Sequence, residues 1–384
     1  MTRLFVTNQV SNSLSLINLV ESRVESTIQL GSNPGALAVD SGKEKLYIVN
    51  EGDRSVLVLD LATDEVRATI PVGEGPVAIA LNPVHDEAYV ANENDNTVSV
   101  LSLADERVTQ VLNVGSRPTS LAVTPDGGYL LVVHEGEDAI SFVPRQVEGG
   151  ETFVVQVGQS PRCIAILPSG DKAYVANSKS DTVSVIDVAA KSVLHTVPVG
   201  SVPYGVVASH DGRHVYVANP GANRVTVLDT ENDCVAVELS VEGLPIGLAV
   251  SHDDRRLYVA CFGARRVVAL DTTSWDTVNV FQVGKVPFGL AEVSDAREQT
   301  GDGGRGEDAP MEQAFSFPSD VSPAARRLER QQKRTLSVEE RIRLAQEAFA
   351  ARQRERERRQ QEGERQRRER HNVVRRERRH TRGW

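Results

Sequence analysis

Nowhere in the 384 residues does an apolar run approach the roughly 18–20 that a helix needs to cross a bilayer, so no membrane span is expected. Cysteine is nearly missing. Three in a chain of this length, an odd number, exclude a disulfide-built fold. Aromatic residues make up only 5%, so the core has to be assembled from small aliphatic side chains. The first 300 residues hold six Lys against 15 Arg, a scarcity that either a salt-rich cytoplasm or a GC-rich genome produces. Helical periodicity over ten or more residues is also missing from this part, which excludes βαβ units. What is present, 40% hydrophobic and 25% charged, suits one large globular domain with an appendage, or two ordinary domains.

The formal charge of −10 averages two unlike parts. Residues 1–300 carry 21 basic and 38 acidic side chains, a net of −17, whereas residues 301–384 carry 22 and 15, a net of +7. An acidic body is joined to a basic tail, and that asymmetry bears on partners rather than on fold.

The body is repetitive. An apolar pentamer ends in Asn8, Asn50, Asn92, Asn177 and Asn219, with degenerate copies ending in His134 and Cys261. Successive spacings are 42, 42, 42, 43, 42 and 42 residues. A second marker, Gly-x-x-Pro, places Pro34, Pro76, Pro118, Pro161, Pro203, Pro245 and Pro287 in step with it, the sixth copy shifting its glycine to Gly243. Each unit reads as four short strands: A after the Pro, B on the pentamer, then C and D. Val, Ile, Leu and Tyr stand at period two between Gly-, Asn-, Asp- and Pro-containing turns. Four-stranded units of about 40–45 residues, none able to bury both faces alone, predict an all-β fold, a seven-bladed β-propeller over residues 1–293. The first unit opens at its B strand, and an isolated A strand, Gly289–Val293, follows the seventh Pro. A 3+1 closure, in which the last strand completes the first blade, is therefore expected, and the propeller reads as complete.

The Tyr-Val-x-Asn pentamer combined with Gly-x-x-Pro resembles the YVTN family of seven-bladed β-propellers over roughly residues 3–293. Proteins similar to it include archaeal surface-layer and bacterial exported propellers. More distant ones include lactonases, a streptogramin lyase and haem-d1 or quinone-cofactor domains. Members of the family are commonly exported. Here Met1-Thr-Arg leads straight into a strand, without the regions of a signal peptide. The location expected is the cytoplasm, or the periplasm or exterior if translation starts upstream.

In this topology the B–C turns and D–A loops share one face around the channel. Most copies carry residues beside the Pro that read as inert: Asn33 and Gly35, Gly75 and Val77, Val202 and Tyr204, Val286 and Phe288. One sector differs. Arg117 precedes Pro118, Arg162 follows Pro161, His134 replaces the pentamer Asn, and the single 43-residue spacing falls here. Glu135, Glu137 and Asp138 adjoin it on the turn. Two Arg and a His predict a site for a small anion, because a guanidinium binds carboxylate or phosphate through two parallel bonds. In an enzyme, His134 would be the general acid/base and Arg117 and Arg162 would hold an anionic intermediate. The competing reading has each Arg paired with Glu135 or Glu137. His85, His210 and His252 fall on A–B turns of the opposite face, so neither a metal nor a cofactor is expected. Cys163 and Cys261 read as core residues, and the pentamer Asn side chains as caps of the turn backbone.

Residues 294–321, centred on Gly301-Asp-Gly-Gly-Arg-Gly306, read as a flexible linker. Residues 322–384 read as an Arg/Glu-rich helical or disordered tail with a capping box at Ser337-Val-Glu-Glu340. Its cations suit nucleic acid, but the interleaved Glu residues and the lack of an aromatic platform favour a protein partner. The regular repeat leans away from an enzyme. The leading expectation is a monomeric, non-catalytic binding scaffold whose basic tail docks a partner. The alternative is a lactonase- or lyase-like enzyme acting on a small anionic substrate at the channel mouth, and a second is nucleic-acid binding through the tail.

Overall fold

Strands B and C of each unit are buried on both faces, because both faces are covered by neighbouring blades. Lys45–Asn50 and Ser55–Asp60, for example, are buried along nearly their whole length. The D strands sit outermost and alternate, as in Arg23–Gln29, where only Val24 and Ile28 are part-buried. The computed structural model describes residues 2–145 and 151–294. Its 28 strands, from Arg3–Asn8 to Pro287–Val293, form seven antiparallel four-stranded sheets. Blade 1 contains Arg3–Asn8, Ser13–Asn18 and Arg23–Gln29, and Pro287–Val293 pairs with Arg3–Asn8 to complete it. Blades 2 to 7 follow in chain order, and the seven A strands contact one another in sequence around the axis. The fold is the expected seven-bladed propeller with 3+1 closure. The linker and tail expected at 294–321 and 322–384 lie, beyond residue 294, outside the described residues.

The two sequence markers stay in phase because they are partners in register. Pro34 lies opposite Asn50, Pro76 opposite Asn92, Pro118 opposite His134, Pro161 opposite Asn177, Pro245 opposite Cys261 and Pro287 opposite Asn8. The register shifts beside each of these prolines, which lack the N–H a regular ladder needs. In blade 6 the A strand is Val206–Ala208, and Tyr204 and Gly205 extend its pairing through bonds to Ala218.

Adjacent blades are stapled at the first residue of strand B. Arg3 meets Asp64 at 2.7 Å, Lys45 meets Glu106 at 2.8 Å and Lys172 meets Asp233 at 2.8 Å. The polarity reverses for Glu87 and Arg145, again at 2.8 Å, and Lys191 stacks over Tyr129 at 4.5 Å. Three of the six lysines in the body are thus spent on holding blades together.

Candidate functional site

One face of the ring is built by a repeated pair of loops. The residue after the pentamer donates its N–H to the carbonyl of the residue before the Pro in the same blade. The pairs are Gln9–Val286, Glu51–Asn33, Glu93–Gly75, Glu135–Arg117, Ser178–Ser160 and Phe262–Leu244, at 2.8 to 3.2 Å. Blade 6 has Pro220 at the donor position and so no N–H to give. Every residue before the Pro lies in the left-handed region, with φ from 52° at Ser160 to 63° at Gly75. Side chains of the preceding blade hold these loops: Asn96 Oδ1 accepts from Arg117 N at 2.8 Å, and Asp138 Oδ1 from Ser160 N at 2.7 Å. A long side chain beside the Pro is thereby directed to the mouth of the channel.

Blades 3, 4 and 5 place two carboxylates and two guanidiniums there. Arg117 Nε and Nη2 both donate to Glu93 Oε1, at 2.9 and 2.7 Å, and Nη2 also lies 3.0 Å from Glu135 Oε2. Arg162 Nη2 and Ser160 Oγ donate to Glu135 Oε1, at 2.5 and 2.8 Å. Glu93, Glu135 and Arg162 are 4%, 8% and 7% exposed, so the cluster is largely shielded from water. Arg162 Nη1 is buried and takes part in no hydrogen bond. Burial pushes the Glu93 carboxyl up to about 7, against the opposing pull of Arg117. Tyr204, also buried, lies within electrostatic range of Arg162, Glu93 and Glu135, and burial raises its phenol well above the usual value.

The expected site is rearranged by this geometry. Arg117, Arg162 and Glu135 do come together. Glu137 does not join them: it is exposed, and its Oε1 accepts from Ser116 N at 2.8 Å, as Asp53 accepts from Ser32 and Asp95 from Glu74. His134 is no free acid/base. It is 1% exposed, and its Nε2 bonds Ser141 Oγ at 2.7 Å. The pentamer Asn makes the same bond to the hydroxyl seven residues on: Asn8 to Ser15, Asn92 to Ser99, Asn177 to Ser184 and Asn219 to Thr226. His134 substitutes for Asn in a structural role, and burial lowers its pKa. Nor do these Asn side chains cap the turn backbone as expected; their amides tie strand B to strand C. Where position i+7 is apolar, Asn50 turns to Asp53, and Cys261 donates from Sγ to Val259 O at 3.8 Å.

The 43-residue spacing is also unrelated to the site. Thr97 pairs with Asn113, sixteen residues on, whereas Ala139 pairs with Gln156, seventeen on, which puts the extra residue in a C–D hairpin of the opposite face. On that face His210 and His252 approach to 5.6 Å between ring centres, and His210 Nδ1 lies 3.0 Å from Asp254. Among the described residues no three His, Cys, Asp or Glu side chains are placed to hold a metal. Cys163 and Cys261 are buried, as expected of core residues.

Two participants escaped the sequence reading. Glu93 carried a signal, since Glu51, Glu93 and Glu135 follow the pentamer in three successive units. Tyr204 carried none, because its environment depends on the next blades.

Residues 7–275 match the family model described as Lactonase, 7-bladed beta-propeller. A periplasmic gluconolactonase of Pseudomonas aeruginosa is similar in fold, at 22% identity over 76% of this chain and 99% of its own, with a TM-score of 0.64. A Desulfotomaculum acetoxidans protein of unknown function covers 76% and 98% at 15% identity and TM-score 0.67. Hydrazine synthase of Kuenenia stuttgartiensis covers 61% and 75% at 25% identity and TM-score 0.56. Among curated protein sequences none matches. The family match overturns the leading expectation of a non-catalytic scaffold and favours the lactonase-like alternative. Among the described residues no helix is long and apolar enough to cross a membrane.

Proposed function

Because the chain belongs to the lactonase family of seven-bladed β-propellers, we propose that it opens a lactone by hydrolysis at this channel mouth. The observation that carries the reading is the cluster of buried Glu93, Glu135 and Arg162 with part-exposed Arg117, drawn from three successive blades. A gluconolactonase of the same fold supports a lactone as the substrate class.

Glu93 serves as general base. A carboxyl whose pKa is near 7 takes a proton from water while still returning it readily. Arg117 donates twice to Oε1 of that carboxylate and holds it in place. Water attacks the carbonyl carbon as its proton passes to Glu93. Arg162, through the buried Nη1 that is otherwise unused, donates to the oxyanion that forms. The ring C–O bond then breaks, and the proton on Glu93 passes to the departing alkoxide, leaving a hydroxy acid. Glu135 fixes both guanidiniums, so the donors are positioned before the substrate arrives.

Proton release from a panel of γ- and δ-lactones tests the reading. Wild type is expected to exceed the spontaneous rate, with kcat/KM rising through pH ~7 and then levelling. Glu93→Gln is expected to lose about 10²–10⁴-fold in kcat, and Arg162→Lys, which keeps the charge but not the planar fork, about 10²–10³-fold. No opening of any lactone above background removes the proposal.

A further inference from the structure

The channel mouth is divided around its circumference. Opposite the charged blades 3 to 5, the next three blades in the ring, 6, 7 and 1, present apolar side chains at both positions flanking the Pro: Val202 and Tyr204, Leu244 and Ile246, Val286 and Phe288. Tyr204, Ile246 and Phe288 are buried against one another, with Phe262 of the neighbouring B–C turn packed on them. They make an apolar floor, and part-exposed Val202, Leu244 and Val286 make its rim.

The rim is kept against local preference. Val202, Leu244 and Val286 have φ of 56°, 58° and 60°, a left-handed conformation that costs any residue carrying a Cβ and most of all the β-branched Val202 and Val286. Blades 2 and 3 put Asn33 and Gly75 in the same place, residues that suit it. Hydrogen bonds hold the strained loops, from Val202 N to Asp181 at 2.8 Å and from Leu244 N to Asn223 at 3.0 Å. Three neighbouring blades thus retain large apolar groups where Asn or Gly would fit more easily. The two sectors meet at Tyr204, which is in the apolar floor and within electrostatic range of Arg162 and Glu135. In the charged sector both guanidiniums are already engaged by carboxylates, Arg117 with Glu93 and Arg162 with Glu135.

We infer that the substrate is a lactone bearing an apolar alkyl or aryl substituent, its ring on the charged cluster and its substituent across blades 6, 7 and 1. This rests on the lactonase reading and names its substrate class. The experiment measures kcat/KM for δ-lactones with side chains lengthening from methyl to heptyl, with glucono-δ-lactone for comparison. In parallel, calorimetry follows binding of the matching alkyl δ-lactams, which do not open. Both series are expected to gain up to about fourfold for each added CH₂. The double variant Val202→Asn/Leu244→Asn is expected to flatten both slopes while folding normally, since Asn33 already occupies the equivalent conformation. Flat series in wild type, or a preference for glucono-δ-lactone, overturn the inference and leave the lactonase reading standing. A steep lactam series without any lactone turnover keeps the apolar sector and removes the lactonase reading.

Discussion

Glu93 ties stability to pH in the direction opposite to an ordinary carboxylate, and Glu93→Gln isolates the effect. Burial raises its folded pKa to about 7, above the range of the unfolded chain near 4.3. Between those values the folded protein binds the extra proton. The stabilisation that Glu93 contributes is therefore fully present below pH ~4.3, falls as pH rises toward 7, and is gone above it. At about 1.4 kcal/mol per pH unit, the loss from pH 5 to pH 8 has a ceiling of about 3 kcal/mol. Glu292, also pushed up to about 7 by burial first and Asp253 second, adds a loss of the same sign. His134 adds one of opposite sign, because burial lowers its pKa and the unfolded state binds the proton more readily. Both are present in either protein and cancel in a comparison. Urea unfolding of wild type and Glu93→Gln at pH 5 and pH 8 yields the double difference directly. Gln still offers Arg117 an acceptor, so any cost of the weaker contact is common to both pH values. The expected result is a pH-dependent loss smaller in the variant by up to about 3 kcal/mol. An identical pH dependence in the two proteins refutes both the raised pKa and the role of Glu93 as base. The Glu93 contribution to stability falls over the same interval in which activity rises, because both follow from one buried carboxylate.

His134→Asn restores the side chain that four other units use for the bond to strand C, so kcat/KM for lactone opening is expected to change by less than about threefold. A loss of 10²-fold or more, as for removal of a general acid or base, would return His134 to the chemistry. Gly247→Ala places a Cβ 1.9 Å from the carbonyl oxygen of Phe288 on the adjacent A strand, where only backbone movement makes room. It is expected to cost about 3 kcal/mol, read as a fall in Tm of about 5–10 °C. Gly35→Ala, whose nearest contact is 3.9 Å, is its control and is expected to shift Tm by no more than about 2 °C.

The seven blades were legible because their signals are short-ranged. A pentamer such as Ala173-Tyr-Val-Ala-Asn177 declares a buried strand through its own composition. Pro161, sixteen residues before Asn177, keeps step because the two are opposed in the register. The candidate site was only half legible. Arg117 and Arg162 stood out as departures from the repeat, and they do reach Glu135. His134 stood out for the same reason and misled, since its partner Ser141 matches the hydroxyls that receive the other Asn side chains. A substitution in a repeat marks a change of residue, and whether the role changes with it depends on what lies seven residues further on. Val202 and Val286 read as inert because nothing in a valine announces a left-handed backbone.

From the chain alone, then, come the all-β class, the count of blades and the closure of the ring, all consequences of periodicity and turn chemistry carried by neighbours along the backbone. Only the tertiary structure decides that Glu93 is shielded enough to titrate near neutrality, that Arg162 keeps an unused buried donor, and that the mouth divides into charged and apolar sectors. Those properties are sums over groups that three or more blades bring together. Burial and Coulomb interaction depend on distance through space, which a 42-residue period repeats but does not reveal.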